Sequence, residues 1–317
     1  MGGNVFKDKT SSIKREYINP TLNKYFKEMI KVFPNKTALF STKHMVPVGS
    51  VGKKAISGDI DLAIDYKSIL DKDMSDASIK EWGIDHDLVT ARYEKIAKRA
   101  RTATHTQLRM KAFLLELAVY INQQAHNIYV DEKKVTNGNI FGLFPQYNSA
   151  GKKLDKGVQV DWMIGDIDLL TFSYYSSVYS GNVKGLHRTQ LIVAMFKSIN
   201  LTFNHINGVK DKETGEVFAS NPVQAIKVLN NGFKFKQELT KTILEDYFEL
   251  QTFLNNNLTA YKLNEVINIY FKILDSTRAD IPEALHSQWI SNQSKLGLTG
   301  RFLPDNSKLI KYAKLRG

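Results

Sequence analysis

Residues 48–64 read VGSVGKKAISGDIDLAI, and the second half of this stretch decides the fold. It alternates. Ile60, Leu62 and Ile64 fall on one side of an extended chain, and Asp59, Asp61 and Asp65 on the other. Period two with β-branched residues predicts a strand with one apolar face. Asp59 and Asp61 then emerge on the same face. Two carboxylates at that spacing repel and resist desolvation, so something positive is expected between them. The first half supplies Gly49-Ser50, followed by Lys53 and Lys54. A glycine lets the backbone approach a ligand closely. A serine at a turn that enters a helix presents its hydroxyl and backbone N–H groups to phosphate. One short segment is therefore expected to hold a triphosphate, while the next strand holds metal.

Hard cations such as Mg²⁺ take carboxylate and water oxygens in octahedral geometry. Two such ions about 4 Å apart can hold the attacking and leaving oxygens of a phosphoryl transfer. A third carboxylate usually completes such a site, and Asp161 in VQVDWMI is the best candidate. It is an isolated acid in an otherwise apolar strand, where a lone charge is costly. A Gly-Ser pair alone is worthless as evidence, and Asp-x-Asp alone is weak, because many strands carry aspartates on a solvated face. The combination with a buried-looking run before Gly49 and an apolar strand after it is far more specific.

Around this segment the chain reads as a mixture of helices and strands. Residues 13–33 give an amphipathic helix, with Leu22, Tyr25, Phe26, Met29 and Ile30 at helical spacing. DKDMSDASIKEWGIDHD reads as an irregular linker with a short helix, and 87–111 as a basic helix carrying Arg92, Lys95, Lys98, Arg99, Arg101, Arg109 and Lys111. The apolar run 112–121 leads toward a strand near 126–131. NIFGLFPQYN and GVQVDWMIGD flank a polar SAGKKLDK and predict a β-hairpin. A second hairpin is expected to turn at Glu213-Thr214-Gly215, and 222–275 to be mostly helical. The expected architecture is α+β: a small mixed sheet with flanking helices in 1–185, followed by a mostly helical domain in 186–317.

Composition narrows the function. The 317 residues carry a net charge of +12, and hydrophobic residues make up 43%. A folded protein this basic usually meets a polyanion, most often nucleic acid. With no cysteine, disulfides, thiolate zinc sites and a Cys nucleophile are excluded, which fits a reducing cytoplasm. No apolar run is long enough to span a membrane, and no secretory h-region opens the chain.

The stretch 48–64 resembles the signature of the polymerase-beta-like nucleotidyltransferase superfamily: an apolar residue, Gly, Gly or Ser, a variable loop, then Asp-apolar-Asp-apolar. Asp161 is similar to that superfamily's third acid on a later strand. The segment from Asp161 through FSYYSS and KGLHRTQLIVAMFK also looks like small nucleotidyltransferase-like proteins of tailed phages. The resemblance covers about 48–66 and 155–165 directly, and the loop between Ser50 and Asp59 is slightly shorter than in many members. It implies an NTP-dependent, template-independent enzyme that transfers a nucleoside monophosphate with loss of pyrophosphate. Asp59, Asp61 and Asp161 would be catalytic and would bind two ions, Mg²⁺ or Mn²⁺. Gly49 and Ser50 would contact the triphosphate. The acceptor favoured by the charge is the 3′-hydroxyl of an RNA such as tRNA. Other acceptors imply a second-messenger synthase, or nucleotidylation of a protein or small molecule. An inactive site would leave a nucleic-acid-binding module.

Secondary candidates surround the site. Lys184, His187 and Arg188 open a helix, and a basic first turn opposes the helix dipole. A phosphate bound there would explain it, and a solvent-facing helix start explains it equally well. Tyr174, Tyr175 and Tyr179 could stack on a base, although tyrosines that bridge core and solvent are commoner. The basic tail after 295 and the basic helix 92–111 could both track a nucleic-acid backbone. GDID at 165–168 lacks a preceding Gly-Ser loop and reads as a turn.

Overall fold

A computed structural model describes residues 5–6, 8–71, 73–100, 103–177, 185–206 and 208–276, together with 281–282, 287, 290–291, 294 and 309–310. The chain divides into two compact units, Met1–Thr171 and Phe172–Gly317.

In the first unit the elements run β1 (Ile13–Lys14), α1 (Arg15–Val32), β2 (Met45–Val48), β3 (Ile56–Ser57), β4 (Ile60–Asp65), α2 (Tyr66–Ile69), α3 (Asp76–Lys80), α4 (His86–Ala97), α5 (His105–Gln124), β5 (Tyr129–Val130), β6 (Asn139–Tyr147) and β7 (Lys153–Gly165). Five strands form a mixed sheet in the order β2-β4-β7-β6-β5. The β4–β7 pair is parallel, and the other pairs are antiparallel. The fold is thus α+β, as the alternating strand and helix patterns predict.

The sheet has the two faces that its period dictates. Ile60, Leu62 and Ile64 of β4 join Val160, Trp162 and Ile164 of β7 in one core. The predicted helical stripe of α1 (Leu22, Tyr25, Phe26, Met29) and Phe113, Leu114 and Leu117 of α5 complete it. Each such side chain contributes roughly 1.5–3 kcal/mol by leaving water. Within the core, the Trp162 indole N–H donates to the Tyr25 hydroxyl at 2.8 Å. The β6–β7 hairpin turns where expected. Asn148 Oδ1 accepts from the backbone N–H groups of Ala150 and Lys152, and Gly151 takes the positive φ of 75° that the turn requires.

Two sequence expectations need correction here. The basic stretch 87–111 is two helices, because a capping box starts a new one. Thr104 Oγ1 accepts from Gln107 N–H, and Gln107 Oε1 accepts from Thr104 N–H. The new helix, α5, runs to Gln124 and absorbs the apolar run 112–121, so β5 starts only at Tyr129. The segment read as a linker around α3 packs into the core. Trp82 is 1% exposed, and its indole N–H donates to the Ile69 carbonyl at 2.7 Å.

α6 (Ile167–Ser173) follows β7, with Asp166 Oδ1 accepting from the N–H groups of Asp168 and Leu169. GDID is therefore a strand end and a helix cap, which suits its reading as a turn. The second unit holds α7 (Gly185–Ser198), β8 (Leu201–Asn204), β9 (Gly208–Asp211), β10 (Val217–Ala219), α8 (Pro222–Phe233), α9 (Lys241–Glu245), α10 (Tyr247–Asn257) and α11 (Ala260–Ser276). The hairpin predicted at 213–215 joins β9 to β10, with Gly215 at φ 74°. β8 adds a third strand that the sequence reading did not include. Among the described residues no helix is long and apolar enough to cross a membrane. The basic tail after 295 lies outside the described residues.

Candidate metal centre

β4 and β7 lie side by side in parallel, with Asp61 directly opposite Asp161. Neighbouring strands are about 4.8 Å apart, and side chains at paired positions share a face. Asp59 sits two residues before Asp61 on that same face. One carboxylate oxygen from each of Asp59, Asp61 and Asp161 lies within 4.8 Å of the others. Asp59 and Asp161 are each only 6% exposed, and Asp61 is half-buried. The three acids therefore face away from Leu62 and Trp162, and the helices α1 and α5 pack on the other side of the sheet.

Gly49 closes one side of the cluster. β2 is antiparallel to β4 with Val48 opposite Asp61, so the chain leaves the sheet beside that carboxylate. Gly49 has φ 64°, and a Cβ there would lie 2.9 Å from Asp61 Oδ2. Both the left-handed backbone and the close approach favour glycine. Beyond it the chain makes successive turns rather than entering a helix, which corrects the expectation for Ser50. The N–H groups of Lys53 and Lys54 both donate to the Ser50 carbonyl at 3.1 Å, Gly52 takes φ 72°, and the next element is the short strand β3. Ser50 and Lys53 are half-buried in this loop.

Gln159, which the sequence reading passed over, fixes the third acid. Its Nε2 donates to Asp161 Oδ2 at 2.8 Å, while its own Oε1 accepts from Val5 N–H at 3.0 Å. Its position two residues before Asp161 on the same strand face was the available signal. Asp161 Oδ1 remains buried with no hydrogen-bond partner. Burial pushes the Asp161 carboxyl up to about 8; the Gln159 hydrogen bond offsets part of this, and the Asp59 charge adds to it. Asp61 is likewise raised well above the usual carboxylate range, by burial first and then by Asp59 and Asp161. Three acids crowded in this way favour their charged forms only when a cation joins them. The donor set is all carboxylate oxygen, which suits a hard divalent ion. The orphan Oδ1 and the side-chain-free Gly49 leave both an acceptor and space for it.

The other candidates belong to the second unit. Lys184 and Tyr179 fall outside the described residues. Arg188 is not at a solvent-facing helix start: it is 2% exposed. Its Nε donates to the Leu244 carbonyl, and its guanidinium lies 5.1 Å from the Phe172 ring centre and 5.6 Å from that of Tyr175. Both terminal nitrogens are buried without a partner. Burial lowers its pKa to about 10, against the opposing pull of Glu245 and then Tyr175. His187 is buried too, with Nδ1 3.0 Å from the Tyr270 hydroxyl. The Tyr174 ring packs edge-on to His205 at 5.2 Å.

Among solved structures, the chain is similar to two ternary complexes of Leishmania infantum polymerase beta, a P/T complex and a gap complex. Identities are 12% and 10%, coverage is 84% of this chain and 75% and 69% of theirs, and the TM-score is 0.33 for both. Likeness at that level does not establish a shared family. No family model and no curated protein matches the chain.

Proposed function

We propose that the protein is a metal-dependent nucleotidyltransferase that moves a nucleoside monophosphate from an NTP to an acceptor hydroxyl. The observation that carries this reading is the convergence of Asp59, Asp61 and Asp161 within 4.8 Å beside a turn whose glycine takes a left-handed backbone against Asp61. Asp59 and Asp61 would hold two ions, Mg²⁺ or Mn²⁺, with Asp161 completing one of them. Bound there, the metal would supply Lewis-acid polarisation and neutralisation of phosphate charge. The turn at Gly49, Ser50 and Lys53 would receive the triphosphate.

In the reaction the acceptor oxygen forms a bond to the α-phosphorus. The bond from that phosphorus to the oxygen bridging to the β-phosphate breaks, and pyrophosphate leaves. The acceptor's proton would go to the Asp161 carboxylate, whose Oδ2 is held by Gln159. Metal at the centre would favour the charged form of Asp161, the form that can accept a proton. The chain's remaining work is positioning, as in phosphoryl transfer generally. The acceptor we favour is the 3′ end of an RNA such as tRNA, in the cytoplasm, on the strength of the net charge of +12 and the absence of cysteine.

The test is incubation of the protein with each labelled NTP, Mg²⁺ or Mn²⁺ and total RNA, beside Asp59→Ala and Asp61→Ala. Label entering RNA with the wild type alone is the expected result and names the nucleotide. Label in protein or in a small soluble product would keep the chemistry and replace the acceptor. No transfer under either metal would overturn the enzyme reading.

A further inference from the structure

We propose that the cleft between α4 and α5 binds the phosphodiester backbone of a single-stranded nucleic acid, at a site separate from the carboxylates. The cleft has a volume of about 530 Å³, and Arg92, Lys95, Arg99 and Lys111 line it with no acidic residue among its walls. Arg92 and Lys95 are three residues apart on one face of α4, and Arg99 follows in the turn that ends that helix. Arg92 already donates from Nε to Glu116 at 2.5 Å. Lys95, Arg99 and Lys111 form no ion pair among the described residues. Lys111 is half-buried.

A solvated helix end accounts for only part of this. The C-terminal dipole of α4 favours Lys95 and Arg99. It gives no reason for Lys111, in the first half of α5, to face the same hollow. Like charges gathered in a concave site raise the local concentration of anions. The shape favours a strand over a compact anion. From Arg92 to the end of α4 at Ala97 the helical rise is about 8 Å at 1.5 Å per residue, and Arg99 lies in the turn beyond it, so the cations follow one another along the end of α4. Ile96 and Leu108 give the walls between the cations an apolar surface, where a base or sugar can lie.

The location separates this cleft from the metal centre. α5 packs on the Trp162 side of the sheet, and α4 packs on α5, whereas Asp161 points to the opposite face. A strand held in the cleft would anchor a long nucleic acid rather than present its reacting end. Binding there does not depend on the transferase reading.

The test is fluorescence anisotropy of the full chain with a short labelled single-stranded RNA over a salt series. It compares the wild type with Lys95→Gln/Arg99→Gln/Lys111→Gln. Three phosphate contacts contribute about −0.7 each to the slope of log K against log salt. The triple variant should therefore lose about 2 from that slope and roughly 100-fold in affinity at about 0.1 M salt. Unchanged slope and affinity would overturn the proposal. So would a wild type that binds inorganic tripolyphosphate but not RNA, or neither. Lysine acylation of the wild-type protein supplies a measure that does not depend on how the variant folds: RNA should protect Lys95 and Lys111, and equal labelling with and without RNA would refute the site. Asp59→Asn/Asp61→Asn should keep the full salt slope. RNA binding with no nucleotide transfer would leave the cleft standing and remove the enzyme reading alone.

Discussion

Replacing Asp161 by Asn should stabilise the metal-free protein, and by more as the pH rises. The carboxyl titrates near 3.8 without its surroundings and is pushed up to about 8 in the fold, chiefly by burial. Between those values the folded state holds a proton that the unfolded chain has released. Stability is then lost progressively as the pH rises from about 4, and the loss is complete above about 8. At 1.36 kcal/mol per pH unit, a gap of about four units sets a ceiling of roughly 5–6 kcal/mol. An asparagine there keeps an amide oxygen for Gln159 Nε2 and never ionises, so it escapes this loss. The assay is chemical denaturation of both proteins in chelator between about pH 5 and pH 9. Their stability difference should grow by several kcal/mol over that range. Adding Mn²⁺ at the upper end should raise the wild type strongly and the variant little, because metal binding relieves the crowding only when the carboxylate is present. A difference that stays flat with pH, or a variant that is less stable at pH 9, would refute the account of a buried, uncompensated acid.

Two further substitutions probe the walls of the same centre. Gly49→Ala should cost about 1–2 kcal/mol for an L-residue in the left-handed region. It should also weaken Mn²⁺ binding measured by calorimetry, since the new Cβ would sit 2.9 Å from Asp61 Oδ2; full Mn²⁺ affinity in a folded variant would show that the turn yields. Gln159→Leu removes the hydrogen bond that holds the Asp161 carboxyl down. The pH at which Mn²⁺ begins to raise the melting temperature should then move upward, and an unmoved onset would mean that Gln159 does not tune the acid.

Much of this site was legible from residues near one another in the chain. The alternation in DIDLAIDY makes Ile60, Leu62 and Ile64 a core face and leaves Asp59 and Asp61 together on the other, because the period of an extended chain is local. The two hairpins were legible for the same reason, since turn residues act within four positions. The break at Thr104 was also written locally, as Thr-x-x-Gln, but the charge pattern running across it masked the cap.

Tertiary structure decided the rest. The sequence shows that Asp161 is an acid stranded in an apolar strand. It does not show that β7 lies parallel to β4 with Asp161 opposite Asp61; that register comes from packing Trp162 and Leu62 on the same helices. Burial separates Arg188 from Lys95 in the same way: both read as surface cations, yet one is enclosed by Phe172 and Tyr175 while the other stays exposed. The tie from Gln159 to Val5 and the second constraint on Gly49 likewise arise only when distant segments meet. Periodicity and turn chemistry are properties of neighbouring residues, so a sequence carries them by itself. Register, desolvation and the pKa shifts that follow are set by which distant segments share a core.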